Sequence, residues 1–304
     1  MELLAKYRNG NLVTELYSDG TRIRTTDDNE FCPAFAENVD VQVSNRCDHA
    51  CPMCYANCTI DGAFGKLSGW KFLDTLHPGT EMAVNLNFPM ADDFIDFLRT
   101  IKSKGVFPNV TINQDHFMQH EDIIQQLYDE ELIYGLGVSL THPTTEFIEC
   151  IKKYPNAVIH VINGIVTKEQ FDVLKGNNLK ILILGYKDIG RGIQYKQTDN
   201  SLIQSRKDWL YQNLEKVTHM FKVVSFDNLG LEQLDVRRLL SDREWERFYG
   251  GDDGTFTFFI NLVEGYFAKN SLSEIHYPIG DYSMDEMFKI IVENDKLNFY
   301  ERGK

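Results

Sequence analysis

What the chain lacks narrows its class before any motif is read. No apolar run of about 18 residues occurs, so nothing in it reads as a membrane-spanning helix. Basic residues are scarce relative to acidic ones, 31 Lys plus Arg against 45 Asp plus Glu, for a net charge of −14. That balance disfavours a broad surface for free nucleic acid and leaves room only for a local basic edge around Lys187, Arg191 and Lys196. The P-loop, dinucleotide, zincin and nucleophile-elbow signatures are absent, which removes the common phosphate, nicotinamide and hydrolase readings. There is no low-complexity segment, no solenoid-length repeat and no Gly/Ser/Pro linker. The opening MELLAKYRNGN is too short and polar for a signal peptide, so a cytoplasmic protein is expected. The 304 residues, 43% hydrophobic and 25% charged, are enough to bury a sizeable core.

Cysteine is the first informative presence. Six occur, at 32, 47, 51, 54, 58 and 150, and four of them fall within twelve residues in NRCDHACPMCYANC. Such crowding is poor disulfide geometry and good metal geometry. Cys47, Cys51 and Cys54 form C-x3-C-x2-C directly after a predicted strand. Three thiolates bind three irons of a four-iron cube and leave the fourth iron open. Two other readings of the same loop are a zinc site completed by Cys58 or His49, and an electron-transfer cluster saturated by all four cysteines.

The chain pattern is α/β. Alternation around Asn9-Gly10 and Asp19-Gly20 predicts a three-stranded antiparallel lead-in. Strands are then expected at 39–43, 82–86, 110–113, 135–140, 157–162 and 179–184, mostly as short apolar runs suited to a parallel sheet. Helical spacing separates them within 91–105, where Phe94, Phe97, Leu98 and Ile101 share a face, and at 144–153, 167–175 and 202–217. The economical architecture is a partial (β/α)6 TIM-like barrel, with a doubly wound sheet as the competing one. The expected organisation is a β-hairpin lead-in over 1–36, a barrel core over 37–220 and an α+β extension over 221–304 packed on it. Within that extension a seventh strand is read in FKVVSFDNLG and a hairpin turning at Glu264-Gly265.

The sequence CDHACPMC, together with the strand–helix units that follow through about residue 190, resembles the radical S-adenosylmethionine (radical SAM) superfamily. The resemblance implies a [4Fe-4S] cluster on Cys47, Cys51 and Cys54, and S-adenosylmethionine (SAM) chelated to the open iron. It also implies reductive cleavage to a 5′-deoxyadenosyl radical that abstracts a substrate hydrogen atom. Met53, before the third cysteine, inherits the position whose backbone meets adenine, and Tyr55 offers an aromatic surface beside it. Where the superfamily has a Gly-Gly-Glu-like motif this chain has Asn85, Leu86 and Asn87, so an amide replaces a carboxylate near the SAM ammonium. Asn113 and Ser139 match polar strand endings that contact SAM, Ile162 matches an adenine-packing segment, and Lys187 with Arg191 provides cations for a carboxylate or an anionic substrate.

No cysteine follows Cys150, so the auxiliary clusters of the peptide maturases are missing. The electron must therefore come from an external one-electron reductant of the flavodoxin or ferredoxin kind. The substrate expected is a peptide or small molecule. Cys32 and Cys150 read as lone thiols, and His160, alternating with apolar residues, reads as a core or barrel-interior histidine.

Overall fold

The computed structural model describes the backbone of residues 1–302 and the side chains of 1–294; residues 303 and 304 of the expected extension lie outside the described residues. The chain opens with β1 (Leu3–Asn9), β2 (Leu12–Tyr17) and β3 (Arg22–Thr25), an antiparallel sheet in that order, turning where the Asn-Gly and Asp-Gly pairs predict. The main sheet follows: β4 (Asn38–Gln42), β5 (Glu81–Leu86), β6 (Phe107–Asn113), β7 (Gly135–Ser139), β8 (Ala157–Ile162), β9 (Lys180–Leu184) and β10 (Val223–Phe226). These seven pair in parallel and in sequential order. A doubly wound sheet would reverse its strand order part-way, and no reversal occurs through these seven.

Two features differ from expectation. The late hairpin of β11 (Thr257–Asn261) and β12 (Tyr266–Ala268) forms, but β11 also pairs in parallel with β4, and β13 (Tyr277–Pro278) adds an antiparallel edge. The sheet therefore has ten strands, and its edges are β10 and β13, so the ring is not closed by pairing. Secondly, the expected helix at 202–217 is part of a longer one, α6 (Arg191–Thr218), with non-helical dihedrals at Asp199.

The other helices are α1 (Phe94–Ser103), α2 (Gln114–Gln119), α3 (Glu121–Asp129), α4 (Thr145–Ile151), α5 (Lys168–Leu174), α7 (Asn228–Gln233), α8 (Asp242–Phe248) and α9 (Met284–Arg302). Capping explains several starts: Thr144 and Ser241 accept the N3 amide of α4 and α8, and Thr167 forms a full capping box with Gln170. The strands bury alternate residues. Val84, Leu86, Val110, Ile112, Leu136, Val138, Ile159, Val161, Ile181 and Ile183 share one core with Phe97, Leu98, Ile124, Phe147 and Phe171 of the helices. The intervening positions, among them Asn85, Thr111, Asn113, Ser139, His160 and Leu182, keep solvent-accessible surface. One face is thus a dry helix-covered core, and the other a polar inner face.

The lead-in sheet covers the amino ends of the strands. Glu37, just before β4, is fully buried and accepts from Arg24 (2.6 Å), Arg22 (3.2 Å), Thr14 (2.5 Å) and Asn9 (3.3 Å). Arg22 also meets Glu81 at the start of β5 (2.5 Å). Tyr134, Asn156 and Lys180, at the amino ends of β7, β8 and β9, donate to the carbonyls of Tyr17, Ser18 and Asp19. The amino end is closed, so chemistry on the inner face must open at the carboxyl end.

Candidate functional site

The cysteine loop leaves β4 at that carboxyl end and is tied down from three sides. Asn85, near the end of β5, accepts from the Val43 amide (2.8 Å) and donates to the Ser44 carbonyl (2.9 Å), so both ends of its amide fix the exit of the loop. Within the loop Cys47 N–H reaches Thr59 O (2.8 Å) and Asp48 N–H reaches Phe88 O (2.9 Å). Ala50 holds a left-handed φ of 50°, a conformation that costs an L-residue about 1–2 kcal/mol and is typical of a loop shaped by its function.

The third tie is the start of α6. Arg191 donates Nε to Cys51 O (3.0 Å) and Nη1 to Cys58 O (2.8 Å), while its own amide reaches Cys54 O (3.1 Å). Gly190 precedes it at φ 56°, and a Cβ there would lie 2.3 Å from Tyr55 O. Only glycine allows the helix start to press this close to the loop. Arg191 therefore acts on the loop carbonyls, and its Nη2 is buried with no partner.

The thiols of Cys47, Cys51, Cys54 and Cys58 sit near enough to perturb one another. Burial pushes Cys47 up and Cys51 to about 11. A hydrogen bond from Cys58 brings Cys54 down to about 6, against burial and with help from the Cys58 and Ala56 amides and Arg191; the same bond, with burial, pushes Cys58 up. Thiolates are the usual protein ligands of iron–sulfur clusters, and four thiols share this loop. Cys47, Cys51 and Cys54 are the residues that would hold such a cluster, by donor type and spacing. Cys58 is buried beside them, with Asn87 Nδ2 3.7 Å from its sulfur.

The remaining expected site residues are placed as follows. Asn113 ends β6, caps α2 by accepting from the Asp115 amide (2.8 Å), and points Nδ2 at Cys51 Sγ (4.0 Å). Ser139 ends β7 in register between Asn113 and His160. Ile162 ends β8, half-buried. Met53 is half-buried in the loop and Tyr55 is exposed. Lys187 lies over the Tyr55 ring at 4.1 Å and donates to Ser271 Oγ (2.7 Å). The cysteine loop thus gathers Asn85, Asn87, Asn113, Lys187 and Arg191, while Ser139 and Ile162 stand at neighbouring strand ends. Cys32 is exposed in the lead-in segment, and Cys150 is buried on α4, where burial and Glu121 push it to about 12; neither joins the four thiols.

Three groups were missed in the sequence. His116 on α2 is buried, bonds Asp48 through Nε2 (2.6 Å) and leaves Nδ1 without a partner; with Cys47 these ligand atoms lie within 4.8 Å of one another. Asp40 in β4 points to the inner face, and Asp227, after β10, caps α7. For Asp40 the signal was present: in NVDVQ the valines take the core face and the polar residues the other, unusual for a strand covered on both sides.

No known protein family and no curated protein matches the sequence. Among solved structures, SuiB of Streptococcus suis, in a crystal structure bound to S-adenosylmethionine, is similar with a TM-score of 0.55 and 13% identity, over 86% of this chain and 68% of that one. At that identity the likeness establishes a fold relation. Among the described residues no helix is long and apolar enough to cross a membrane.

Proposed function

We propose that the protein is a radical SAM enzyme. The observation that carries this reading is the three-thiol loop at the carboxyl end of β4, opening on a polar inner face in a fold shared with a SAM-bound protein. When bound, the [4Fe-4S] cluster supplies the electron that cleaves SAM to methionine and a 5′-deoxyadenosyl radical, which takes a hydrogen atom from a peptide or small-molecule substrate. The chain's own residues do the positioning. Arg191 and Gly190 hold the loop in register, Asn85 fixes its exit from β4, and Asn113 directs a donor at Cys51. Exposed Tyr55 and the half-buried Met53 carbonyl region offer the surface for adenine. A carboxylate for the SAM ammonium is missing from the end of β5, so Asn87 and backbone carbonyls take that part. The electron donor proposed is an external flavodoxin- or ferredoxin-like protein, and the location proposed is the cytoplasm.

The test is anaerobic reconstitution with iron and sulfide, reduction with dithionite and addition of SAM. The reading predicts 5′-deoxyadenosine from wild type and none from a Cys47/Cys51/Cys54 triple alanine variant. A preparation holding one zinc and no iron contradicts it. One observation favours a second reading: Cys58 is buried close enough to Cys54 and Cys47 for them to perturb its thiol, a place from which it could serve as the fourth ligand of a saturated cluster. C58A separates the two, because the radical SAM reading expects the iron content to survive and the saturated reading expects it to collapse.

A further inference from the structure

One buried nitrogen beside the cysteine loop has no structural use. His116 is 3% exposed on α2, its Nε2 meets Asp48 Oδ1 (2.6 Å), and its Nδ1 is buried with no partner. An ionised carboxylate only accepts, so in the neutral ring Nε2 carries the proton and Nδ1 keeps the lone pair. An unpaired polar atom in the interior costs free energy unless something arrives to meet it. A histidine with one nitrogen donating to a carboxylate and the other bare has the arrangement of a metal-ligating histidine.

The surroundings say which metal. The ligand atoms of Cys47, Asp48 and His116 lie within 4.8 Å of one another. Three residues earlier, at the cap of the same helix, Asn113 points Nδ2 at Cys51 Sγ (4.0 Å). The start of α2 thus reaches two of the three cysteines expected to hold the cluster. The ring itself is wedged in place: Phe88 and His49 stand edge-on to it at 5.4 and 5.7 Å, and Asp48 is tied by its amide to Phe88 O (2.9 Å). The two neighbouring histidines are otherwise engaged, since His49 Nδ1 faces Asp115 (3.5 Å) and His120 stacks on Phe88.

We propose that His116 Nδ1 is the resting ligand of the iron that no cysteine holds, and that SAM displaces it. The proposal rests on the radical SAM reading, because it needs that cluster. A separate mononuclear ion is the poorer occupant: it would have to take Cys47 from the cluster, and among the described residues only Asp48 and His116 group with that cysteine. In the exchange the Fe–Nδ1 bond breaks, the SAM ammonium releases a proton to solvent, and the amine nitrogen and carboxylate oxygen take the iron. No electron moves in this step. Asp48 is a positioning residue, holding the ring through Nε2 before and after the exchange.

The experiment uses the full chain labelled with nitrogen-15 histidine, reconstituted anaerobically and reduced with dithionite. Pulsed paramagnetic resonance of the SAM-free protein should show a strongly coupled nitrogen-15, and saturating SAM should abolish that coupling. H116F should lose it while keeping its iron, and H116Q, which retains a hydrogen-bonding side chain, gives the same reading should phenylalanine disturb the fold. SAM should bind severalfold more tightly to the variants than to wild type, because a competing ligand is gone, whereas a merely structural histidine would leave binding weaker. A cluster without histidine coupling in SAM-free wild type, or a coupling that survives in H116Q, would overturn the proposal. 5′-Deoxyadenosine formation by wild type is measured separately: a cluster that supports it without that coupling sinks the proposal alone, and a preparation holding no iron–sulfur cluster sinks both.

Discussion

The two ends of the parallel sheet use the same kinds of residue for opposite purposes. At the amino end Glu37, Arg22, Arg24 and Glu81 interlock beneath the lead-in sheet, and every one of those charges has a partner of opposite sign. At the carboxyl end the Nη2 of Arg191, against the cysteine loop, and the Nδ1 of His116, beside Asp48, are buried without a partner. Burying a polar group without a partner costs free energy, so a paired network reads as structure and an unpaired one as a site awaiting ligands. The contrast is not absolute, since Arg22 Nε and Asn109 Oδ1 are also orphaned at the amino end. Its direction is nonetheless clear.

Breaking one end should leave the property of the other intact. The largest effect is expected from C51S: more than 100-fold loss of 5′-deoxyadenosine and loss of bound iron, with the melting temperature of the metal-free chain barely moved. E37Q should do the reverse. Removing one member of a buried charge network costs about 3–5 kcal/mol, read from denaturant unfolding, while product formation per folded molecule persists.

The same glutamate predicts a pH dependence. Burial alone would raise its carboxyl, but Arg24, Arg22 and Thr14 outweigh burial and hold it below the ordinary value. A depressed carboxyl stabilises the fold above its ordinary value near pH 4.3 and loses that contribution as pH falls through the depressed one. The acid limb of the stability profile should therefore flatten in E37Q. The smallest effect sharpens the comparison from the site side. R191K keeps the charge but loses the forked contact with two loop carbonyls, so it should cost about 2 kcal/mol and lower the iron bound per chain.

Local pattern made much of this legible. The strands ending at Leu86, Asn113, Ser139, Ile162 and Leu184 lie where short apolar runs put them, because helix-covered strands need continuous apolar positions on the core side. The clustering of cysteines 47, 51, 54 and 58 was visible as spacing alone. Other features were hidden for physical reasons. Parallel pairing of β11 with β4 joins residues more than two hundred positions apart, and no local period encodes a long-range partner. Arg191 reads from the sequence as a cation for a carboxylate or an anionic substrate, whereas the approach permitted by Gly190 brings it onto the carbonyls of Cys51 and Cys58. Asn85 looks like a ligand from its place at a strand end, and the fold spends both its donor and its acceptor on residues 43 and 44.

The central claim is that one metal position among the cysteine sulfurs remains available to SAM. Electron paramagnetic resonance of the reduced, reconstituted protein tests it directly. The account predicts a [4Fe-4S] signal whose g-values shift when SAM is added; a cluster signal unchanged by saturating SAM would contradict it.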